Sequence, residues 1–364
     1  MNKLLKNDER VFFGLRALYE SYGYTRYKVS KFEEYDFFAR NRRIPSGGHI
    51  LTFTDTDGRL MALKPDVTLS IVKNAENTGT TRKVCYSENV YRVPHGGSGF
   101  REMMQTGLEC IGVLDPYSVG EVIMLASESL RMISSDYVLD VSDPGVITGV
   151  LNADGIGGEE AVCIMRAFGC RSPHLLASAC KEAGVSSRAA EILSKLLEIS
   201  GPLGDAIARV SALSLPGECL APLASLSDLY CCIREYPVIE PRLNFSVVND
   251  MDYYSGIVFR GYINGIASGV LSGGRYDSLL RNMGVSGQAI GFAVYLDQLE
   301  RFLLPVSESD ADVLVLYGAD TDPRLVIRTV SDITAEGKTV RAQRDTADGL
   351  SCGTVIDLRG GATR

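Results

Sequence analysis

Two alternating segments joined by a glycine-rich loop limit the folds open to this chain. Residues 82–93 (RKVCYSENVYRV) and 100–114 (FREMMQTGLECIGVL) alternate polar and apolar side chains, and residues 94–99 (PHGGSG) connect them. A period of two predicts half-buried strands, and the short connection predicts that they pair as an antiparallel hairpin. A long hairpin of this kind favours an α+β fold with an antiparallel sheet over a succession of βαβ units.

Neighbouring segments agree with this class. Residues 8–21 place apolar side chains on one helical face, so we expect an amphipathic helix there. Residues 24–29 are predicted as a strand, residues 32–40 as a helix, and residues 49–64 as two strands around an Asp-Gly turn. Further strands are expected within residues 242–251, 254–263, 268–284 and 289–303, the last ending as a helix.

The chain changes character twice along its length. Its 364 residues predict two or three domains. Between Gly145 and Tyr236, six apolar-periodic segments are separated by Gly, Pro or Ser, which predicts a helical insertion, and a polar run near Ser307 precedes a short αβ unit. We therefore predict a core in two parts, the insertion and a C-terminal unit, with the bounds 1–144, 145–236, 237–305 and 306–364.

Composition excludes several classes of function. Lys and Arg total 37 against 45 Asp and Glu, a net charge of −8, so general attraction to polyanions is not expected. The nine cysteines are scattered without a C-x-x-C pair and are expected to be reduced, mostly buried thiols. No signal peptide or membrane span is expected, and three isolated histidines predict no metal site. These features predict a cytoplasmic protein without a metal or cofactor.

A first polar constellation lies on the second hairpin strand. Gln105, Gly107 and Glu109 share one face, and Gly107 leaves room for a ligand bearing an amine or imidazole. Arg92 on the partner strand offers a planar fork for a carboxylate or phosphate. A solvated hairpin face explains the same alternation, and periodicity alone favours that alternative.

A second constellation surrounds two adjacent tyrosines. Tyr253 and Tyr254 are expected on opposite faces of a strand, so that at most one of them lines a given pocket. The pair Gly273-Gly274 permits close backbone approach to a ligand, although a bulge or tight turn explains it equally well. The following GGRYD run matches neither common nucleotide-binding glycine motif.

In this order, the segments resemble the core of class II histidyl-tRNA synthetases. The resemblance runs from about Asp8 into the C-terminal unit and rests on the opening helix, KPDVT (64–68), the hairpin with Arg92 and REMMQ (101–105), the helical insertion, MDYYSG (251–256), SGGRYD (272–277) and AIGFAVYLDQL (289–299). It implies an antiparallel sheet flanked by helices, and a dimer formed through the first helix. It also implies a histidine-binding pocket lined by Asp66, Thr68, Arg92, Gln105, Glu109, Tyr253 and Tyr254.

Three departures from the synthetase pattern bear on activity. Asn249 stands where the family has an arginine that activates the substrate carboxylate, and Gln298 stands where an arginine holds the ATP phosphates. Because losing one preorganised donor costs ~10²–10³ in rate, two losses argue against aminoacyl-adenylate formation. The C-terminal unit is also short for an anticodon-reading domain, which argues against tRNA binding.

A histidyl core without these groups resembles the regulatory subunits of ATP phosphoribosyltransferase. That family implies a non-enzymatic protein that joins a short-form catalytic subunit in a hetero-octamer containing homodimers, activates it, and relays feedback inhibition by histidine in the first step of histidine biosynthesis. Two alternatives stay open. One is an active histidyl-tRNA synthetase or related adenylate-forming ligase, and the other is a scaffold with a vestigial pocket.

Overall fold

The computed structural model describes residues 7–40, 50–75, 80–93, 99–236, 240–248, 253–299, 311–344 and 350–359. The chain divides into two compact units, Met1–Leu303 and Leu304–Arg364. The division of the first unit into a core and an insertion remains a prediction.

Strands and helices alternate irregularly along the chain, as expected for an α+β fold. Within the described residues the strands are β1 (Thr25–Arg26), β2 (Phe32–Glu34), β3 (Thr52–Thr54), β4 (Leu60–Leu63), β5 (Arg82–Arg92), β6 (Arg101–Gly112), β7 (Tyr137–Ser142), β8 (Ser200–Pro202), β9 (Arg242–Asn244), β10 (Val258–Ile263), β11 (Leu271–Arg275), β12 (Gln288–Tyr295), β13 (Ala311–Leu316), β14 (Val340–Gln343) and β15 (Cys352–Asp357). The α-helices are α1 (Asn7–Ser21), α2 (Tyr35–Arg40), α3 (Val67–Lys73), α4 (Pro116–Ile133), α5 (Gly145–Ala153), α6 (Gly158–Gly169), α7 (Pro173–Glu182), α8 (Ser187–Glu198), α9 (Leu203–Ser211), α10 (Leu220–Ile233), α11 (Asp277–Asn282) and α12 (Pro323–Ala335).

A nine-stranded sheet organises the first unit, in the order β1-β5-β6-β12-β11-β10-β7-β9-β8. The hairpin predicted from alternation is confirmed, with β5 and β6 paired from Arg82 opposite Ile111 to Arg92 opposite Arg101. The predicted antiparallel sheet is confirmed, with parallel pairing at two places, β1 with β5 and β7 with β9. Each of these parallel pairings involves only two residues of each strand and joins segments that are far apart in the sequence.

The two faces of this sheet are covered differently. Helices α1 and α4 cover one face, where Tyr19 packs edge-on against Phe292 at 5.8 Å between ring centroids and its hydroxyl bonds to Ser129 Oγ at 2.9 Å. Helix α3 and the aromatic residues Tyr253 and Tyr276 belong to a second apolar cluster on the other face. Because both clusters are buried, both faces of the sheet are internal. Polar side chains on the face of the second cluster are therefore buried together with its apolar residues.

The region before the hairpin departs from expectation. Residues 32–40, predicted as a helix, form β2 followed by α2, because β2 pairs with β4 from Phe32 opposite Leu63 to Glu34 opposite Met61. The predicted strand at 24–29 is reduced to β1. The strand-turn-strand prediction for 49–64 is confirmed by the antiparallel pair β3–β4, although residue 49 lies outside the described residues.

The segment from 145 to 236 contains the six predicted helices, α5 to α10. Their apolar residues join those of the sheet and of α4 in one continuous buried cluster, to which Phe168, Leu193 and Phe245 contribute. The short strand β8 pairs with β9 and extends the main sheet by one strand. The helices are therefore packed onto the sheet through a shared core.

The second unit is a small αβ arrangement. Strand β13 lies between β14 and β15, and both pairings are parallel. Val313 and Val315 of β13 pack with Ile333 of α12 in a separate apolar cluster. Helix α12 begins after Asp322, whose carboxylate accepts the Arg324 amide hydrogen at 2.9 Å.

Among the described residues, none of the helices combines the length and apolar character needed to cross a bilayer. All nine cysteines are unbridged thiols. The expectation that most are buried is wrong, because Cys163, Cys170, Cys231 and Cys232 are exposed around the helices of 145–236.

Candidate functional site

The first polar constellation is buried, so the alternative of a solvated hairpin face is wrong. Gln105 and Glu109 are only 3% and 2% exposed, although both lie on the polar face of β6. Helix α3 and Tyr276 cover this part of the sheet and bring polar groups of their own. A buried polar group is costly unless it is hydrogen-bonded, so the partners of these side chains define the site.

Glu109 is the centre of the site. Thr68 donates a hydrogen bond to its Oε1 and Tyr276 donates one to its Oε2, both at 2.6 Å. Burial raises the pKa of Glu109 to about 8, against the opposing effect of the two hydroxyl donors. At neutral pH the carboxyl is therefore mostly protonated, and it can both donate and accept.

Strand β12 leaves space for the Glu109 side chain. Gly291 lies directly opposite Glu109 in the β6–β12 pairing. A Cβ atom at Gly291 would overlap Glu109 Oε2 and would lie 2.5 Å from the Leu108 carbonyl oxygen. Glycine at this position therefore leaves the space that the Glu109 carboxyl group occupies over the neighbouring strand.

Asp66 and Arg92 form the second polar element of the site. Asp66 caps α3, with its Oδ1 accepting the Leu69 amide hydrogen at 2.8 Å, and its Oδ2 lies 3.2 Å from an Arg92 terminal nitrogen. Arg92 Nε also donates to the Pro65 carbonyl oxygen. Burial raises the pKa of Asp66, while the Arg92 charge opposes that shift. The guanidinium fork predicted for a ligand thus holds the protein's own segment.

Tyr253 and Tyr254 depart from the predicted geometry. They precede β10 rather than lying in it, and their rings meet edge to face at 4.9 Å between centroids. The expectation that they point to opposite faces is wrong because it assumed strand backbone. Tyr253 also lies 5.9 Å from the Tyr276 ring, and burial raises the pKa of both Tyr253 and Tyr254 well above the usual value.

Tyr276 was not included in the predicted pocket, although it contacts Glu109 directly. It is 1% exposed and follows β11 at once, with its hydroxyl bound to the central carboxyl. The available signal was the GGRYD run, because a tyrosine buried after a glycine-rich strand needs a partner for its hydroxyl.

The space expected above Gly107 is occupied by the protein itself. A Cβ atom at Gly107 would lie 2.8 Å from the Tyr86 hydroxyl oxygen and would overlap the Phe292 carbonyl oxygen. Neighbouring strands, rather than a ligand, therefore require glycine here.

Of the two positions that depart from the synthetase pattern, Asn249 lies outside the described residues. Gln298 lies in the 3-10 turn Leu296–Leu299 that follows β12. Its Oε1 accepts a hydrogen bond from Ser268 at 2.7 Å, and its Nε2 donates to Asp297 Oδ2 at 2.9 Å. A neutral amide held by two local partners presents no positive charge to a phosphate.

Together these residues form a compact polar site. It contains the Glu109 carboxyl group, the Asp66 carboxyl group that caps α3, the hydroxyl groups of Thr68 and Tyr276, and the Arg92 guanidinium. Within the described residues there is no cluster of His, Cys, Asp and Glu that could hold a metal ion. The arrangement can recognise a small ligand with several hydrogen-bonding groups.

Comparison with known proteins places this geometry in context. The family model described as histidyl-tRNA synthetase matches residues 3–299. An ATP phosphoribosyltransferase regulatory subunit from Alkaliphilus metalliredigens (strain QYMF) is 26% identical over 288 residues, which cover 77% of this chain and 73% of that protein.

Solved structures share the fold. One is an ATP phosphoribosyltransferase regulatory subunit/histidyl-tRNA synthetase from Bacillus halodurans C, with a TM-score of 0.78 at 23% identity, covering 98% of this chain and 95% of that chain. Another is a chain of the ATP phosphoribosyl transferase (HisG:HisZ) complex from Thermotoga maritima, with a TM-score of 0.62 at 18% identity, covering 79% and 97%. At these identities the likeness concerns the fold alone.

Proposed function

This chain belongs to the histidyl-tRNA synthetase family, and we propose that within the family it is a non-catalytic regulatory subunit of ATP phosphoribosyltransferase. The observation that carries the proposal is the buried Glu109 site combined with Gln298, a neutral amide where the synthetases have an arginine. The relative from Alkaliphilus, which bears the name of such a subunit, supports it over most of both chains.

The ligand we propose for the Glu109 site is histidine. Its imidazole has one donor and one acceptor at neutral pH, and its ammonium group needs acceptors, which Asp66 and Glu109 provide. The binding residues in this proposal are Asp66, Thr68, Arg92, Gln105, Glu109, Tyr253 and Tyr254, and Tyr276 joins them because it holds Glu109 in place.

Histidine would act on the partner through linkage. It must bind one state of the assembly better than another, and a coupling free energy of ~1–3 kcal/mol is typical of such effects. We propose that the chain forms homodimers within a hetero-octamer in the cytoplasm, that it activates a short-form catalytic subunit, and that it does not bind tRNA. We also propose domain boundaries at 144/145, 236/237 and 305/306.

The test is reconstitution. The purified chain is mixed with a short-form ATP phosphoribosyltransferase, and turnover is measured with and without histidine. We expect complex formation, a higher rate, and inhibition by histidine that weakens in Glu109→Ala. The absence of both a complex and activation would refute the regulatory role. Unchanged inhibition in Glu109→Ala and Gln105→Ala would refute the location of the histidine site.

Proton release offers a further prediction for the Glu109 site. Because burial raises the pKa of Glu109 to about 8, a cationic group bound beside it must favour the ionised form and lower that pKa. Histidine binding at pH 7 is therefore expected to release a fraction of a proton. Calorimetry in two buffers of different ionisation enthalpy measures this, and Glu109→Gln should abolish the difference.

An active histidyl-tRNA synthetase or related adenylate-forming ligase is the second candidate. The match to the histidyl-tRNA synthetase family model favours it. The bonding of Glu109 to Thr68 and Tyr276 suits either function, since both need an amino-acid site. Histidine-dependent ATP–pyrophosphate exchange separates the two. Robust exchange would support the ligase, and we expect none because Gln298 supplies no charge for the phosphates. Partner binding without any histidine binding would instead favour a scaffold.

A further inference from the structure

A cavity of about 480 Å³ lies where the end of β7, helix α10 and the start of α11 meet, and Tyr254 is the one residue of its lining that the proposed function uses. Its lining includes Asp143, Thr148, Ser225, Tyr254, Arg275 and Asp277. Small-molecule sites commonly occupy ~300–1,000 Å³ and carry a few convergent polar groups. The cavity has the size and the mixed lining of such a site.

Asp143 supplies a negative charge at the wall of the cavity. The residue is only 3% exposed, and its Oδ1 accepts the Gly145 amide hydrogen at 2.9 Å. Burial raises the pKa of Asp143 to about 6, and the Gly145 hydrogen bond and the Arg275 charge oppose that rise. At neutral pH the carboxyl is therefore mostly ionised, and an ionised carboxylate has acceptor capacity beyond one hydrogen bond.

Arg275 supplies a positive charge to the same cavity. Its Nε donates to Asp277 Oδ2 at 2.8 Å, and Asp277 Oδ1 accepts the Ala289 amide hydrogen at 3.0 Å. The guanidinium is thus anchored by its Nε edge to a carboxylate that is itself fixed to β12. An arginine has five N–H donors, so anchoring through Nε leaves the terminal groups suited to a bidentate carboxylate.

The proposed Glu109 site and the cavity share Tyr254. A Cβ atom at Gly274 would lie 2.6 Å from Tyr254 Cδ1, so this ring lies against β11 at Gly274. In the register, Gly274 lies opposite Gly291, and Gly291 lies opposite Glu109. Two strand spacings of ~4.8 Å place the ring about 10 Å from the backbone of Glu109. The Glu109 carboxyl extends over Gly291 on the strand between them.

We propose that this cavity is a second ligand site, which binds a small zwitterion of the amino-acid class with its ammonium group on Asp143 and its carboxylate on Arg275. The charges of Asp143 and Arg275 complement the two ends of such a ligand, and neither group alone would select it over a simple amine or acid. The proposal does not depend on the regulatory role or on the partner.

The test is ligand-observed NMR on the full chain at neutral pH, with the proteinogenic L-amino acids as probes, each supplied singly. Glu109→Gln is used as the background because it impairs the first site. We expect at least one amino acid to bind this variant. The same amino acid should bind at least tenfold more weakly to the double variant that carries both Glu109→Gln and Asp143→Asn. Two analogues of that amino acid serve as controls, an amine without the carboxylate and a carboxylic acid without the ammonium group. Each should bind the Glu109→Gln variant at least tenfold more weakly than the amino acid does.

Two further variants guard against indirect effects. Asp205→Asn removes an exposed carboxylate on α9 and should leave binding unchanged. Arg275→Lys keeps the charge but loses the planar fork, so it should weaken binding several-fold, with the thermal midpoint checked for each variant. The proposal is overturned if no amino acid binds Glu109→Gln, or if Asp143→Asn binds as the background does. The histidine site proposed at Glu109 is judged separately. It is supported if the unsubstituted chain binds histidine and Glu109→Gln removes that binding, whatever the result for Asp143→Asn.

Discussion

Glu109 and Asp143 are both buried carboxyl groups beside the main sheet, yet the two regions around them differ. Glu109 lies beneath α3 and Tyr276, with each oxygen bound to a hydroxyl group. Asp143 lies at the wall of an open cavity and accepts a backbone amide hydrogen. Burial raises the pKa of Glu109 to about 8 and that of Asp143 to about 6. At pH 7 the first is mainly a neutral polar group and the second mainly a charge.

The difference shows that burial alone does not define a binding group. A carboxyl enclosed by hydroxyl donors contributes to the structure of its site, because its removal leaves buried donors without acceptors. A carboxylate at a cavity wall has its remaining acceptor capacity directed to whatever occupies the cavity. Substitutions near Glu109 should therefore affect stability most, and those near Asp143 should affect ligand binding most.

The largest effect is expected from Gly291→Ala. The added Cβ would overlap Glu109 Oε2 and approach the Leu108 carbonyl oxygen, and a backbone atom cannot easily move away. Overpacking of this kind typically costs ~1–3 kcal/mol, and the displaced Glu109 adds the loss of two hydrogen bonds. We expect a loss of about 4 kcal/mol in the free energy of unfolding, measured by urea denaturation.

Gly217→Ala is the matched control for Gly291→Ala. A Cβ atom at Gly217 meets nothing within 4 Å, so we expect a change of less than about 1 kcal/mol. Equal effects of the two substitutions would show that the close fit of Glu109 against β12 does not exist.

Glu109→Ala comes next. It leaves the hydroxyl groups of Thr68 and Tyr276 without their acceptor, at ~1–3 kcal/mol for a buried unsatisfied group. We expect a loss of about 3 kcal/mol for Glu109→Ala and less for Glu109→Gln, which retains an acceptor. Asp143→Asn should cost less than either, and an equal or larger loss in thermal or urea unfolding would reverse the comparison.

The two carboxyl groups should also be separable by pH. Because both folded pKa values lie above the usual values of 4.5 and 3.8, the folded state binds more protons, and stability falls as pH rises through each window. The window is about 4.5 to 8 for Glu109 and about 3.8 to 6 for Asp143.

Within each window the slope of stability against pH approaches about −1.4 kcal/mol per pH unit for a single group. Glu109→Gln should flatten the profile between pH 6 and about 8, whereas Asp143→Asn should flatten only the part below about pH 6. Urea unfolding at a series of pH values measures this, and a change above pH 7 in Asp143→Asn would contradict the assignment.

Arg92→Lys should give the smallest effect. A lysine can keep the charge near Asp66 but cannot also donate to the Pro65 carbonyl oxygen in the same geometry. We expect a loss of about 1 kcal/mol in the free energy of unfolding. Lys195→Arg, in an exposed helical pair with Glu191, is the control and should be neutral within about 0.5 kcal/mol.

Local patterns were sufficient to predict the long hairpin, the first helix and the six helices of 145–236. The same reasoning failed at 32–40, where pairing of β2 with β4 overrides the helical pattern of Phe32 and its neighbours. It also failed at Tyr253 and Tyr254, because the start of β10 at Val258 depends on its partners β7 and β11. These pairings join residues far apart in the chain, so no local window contains them.

Three features follow from the amino-acid sequence alone: the α+β class, the residues of the polar constellation on β6, and the absence of an arginine at positions 249 and 298. The burial of Glu109, its hydrogen bond from Tyr276, and the presence of Asp143 and Arg275 at one cavity are known only from the three-dimensional fold. Side-chain period and chemical type are properties of a local segment, whereas burial, proton affinity and shared cavities depend on which distant segments pack together.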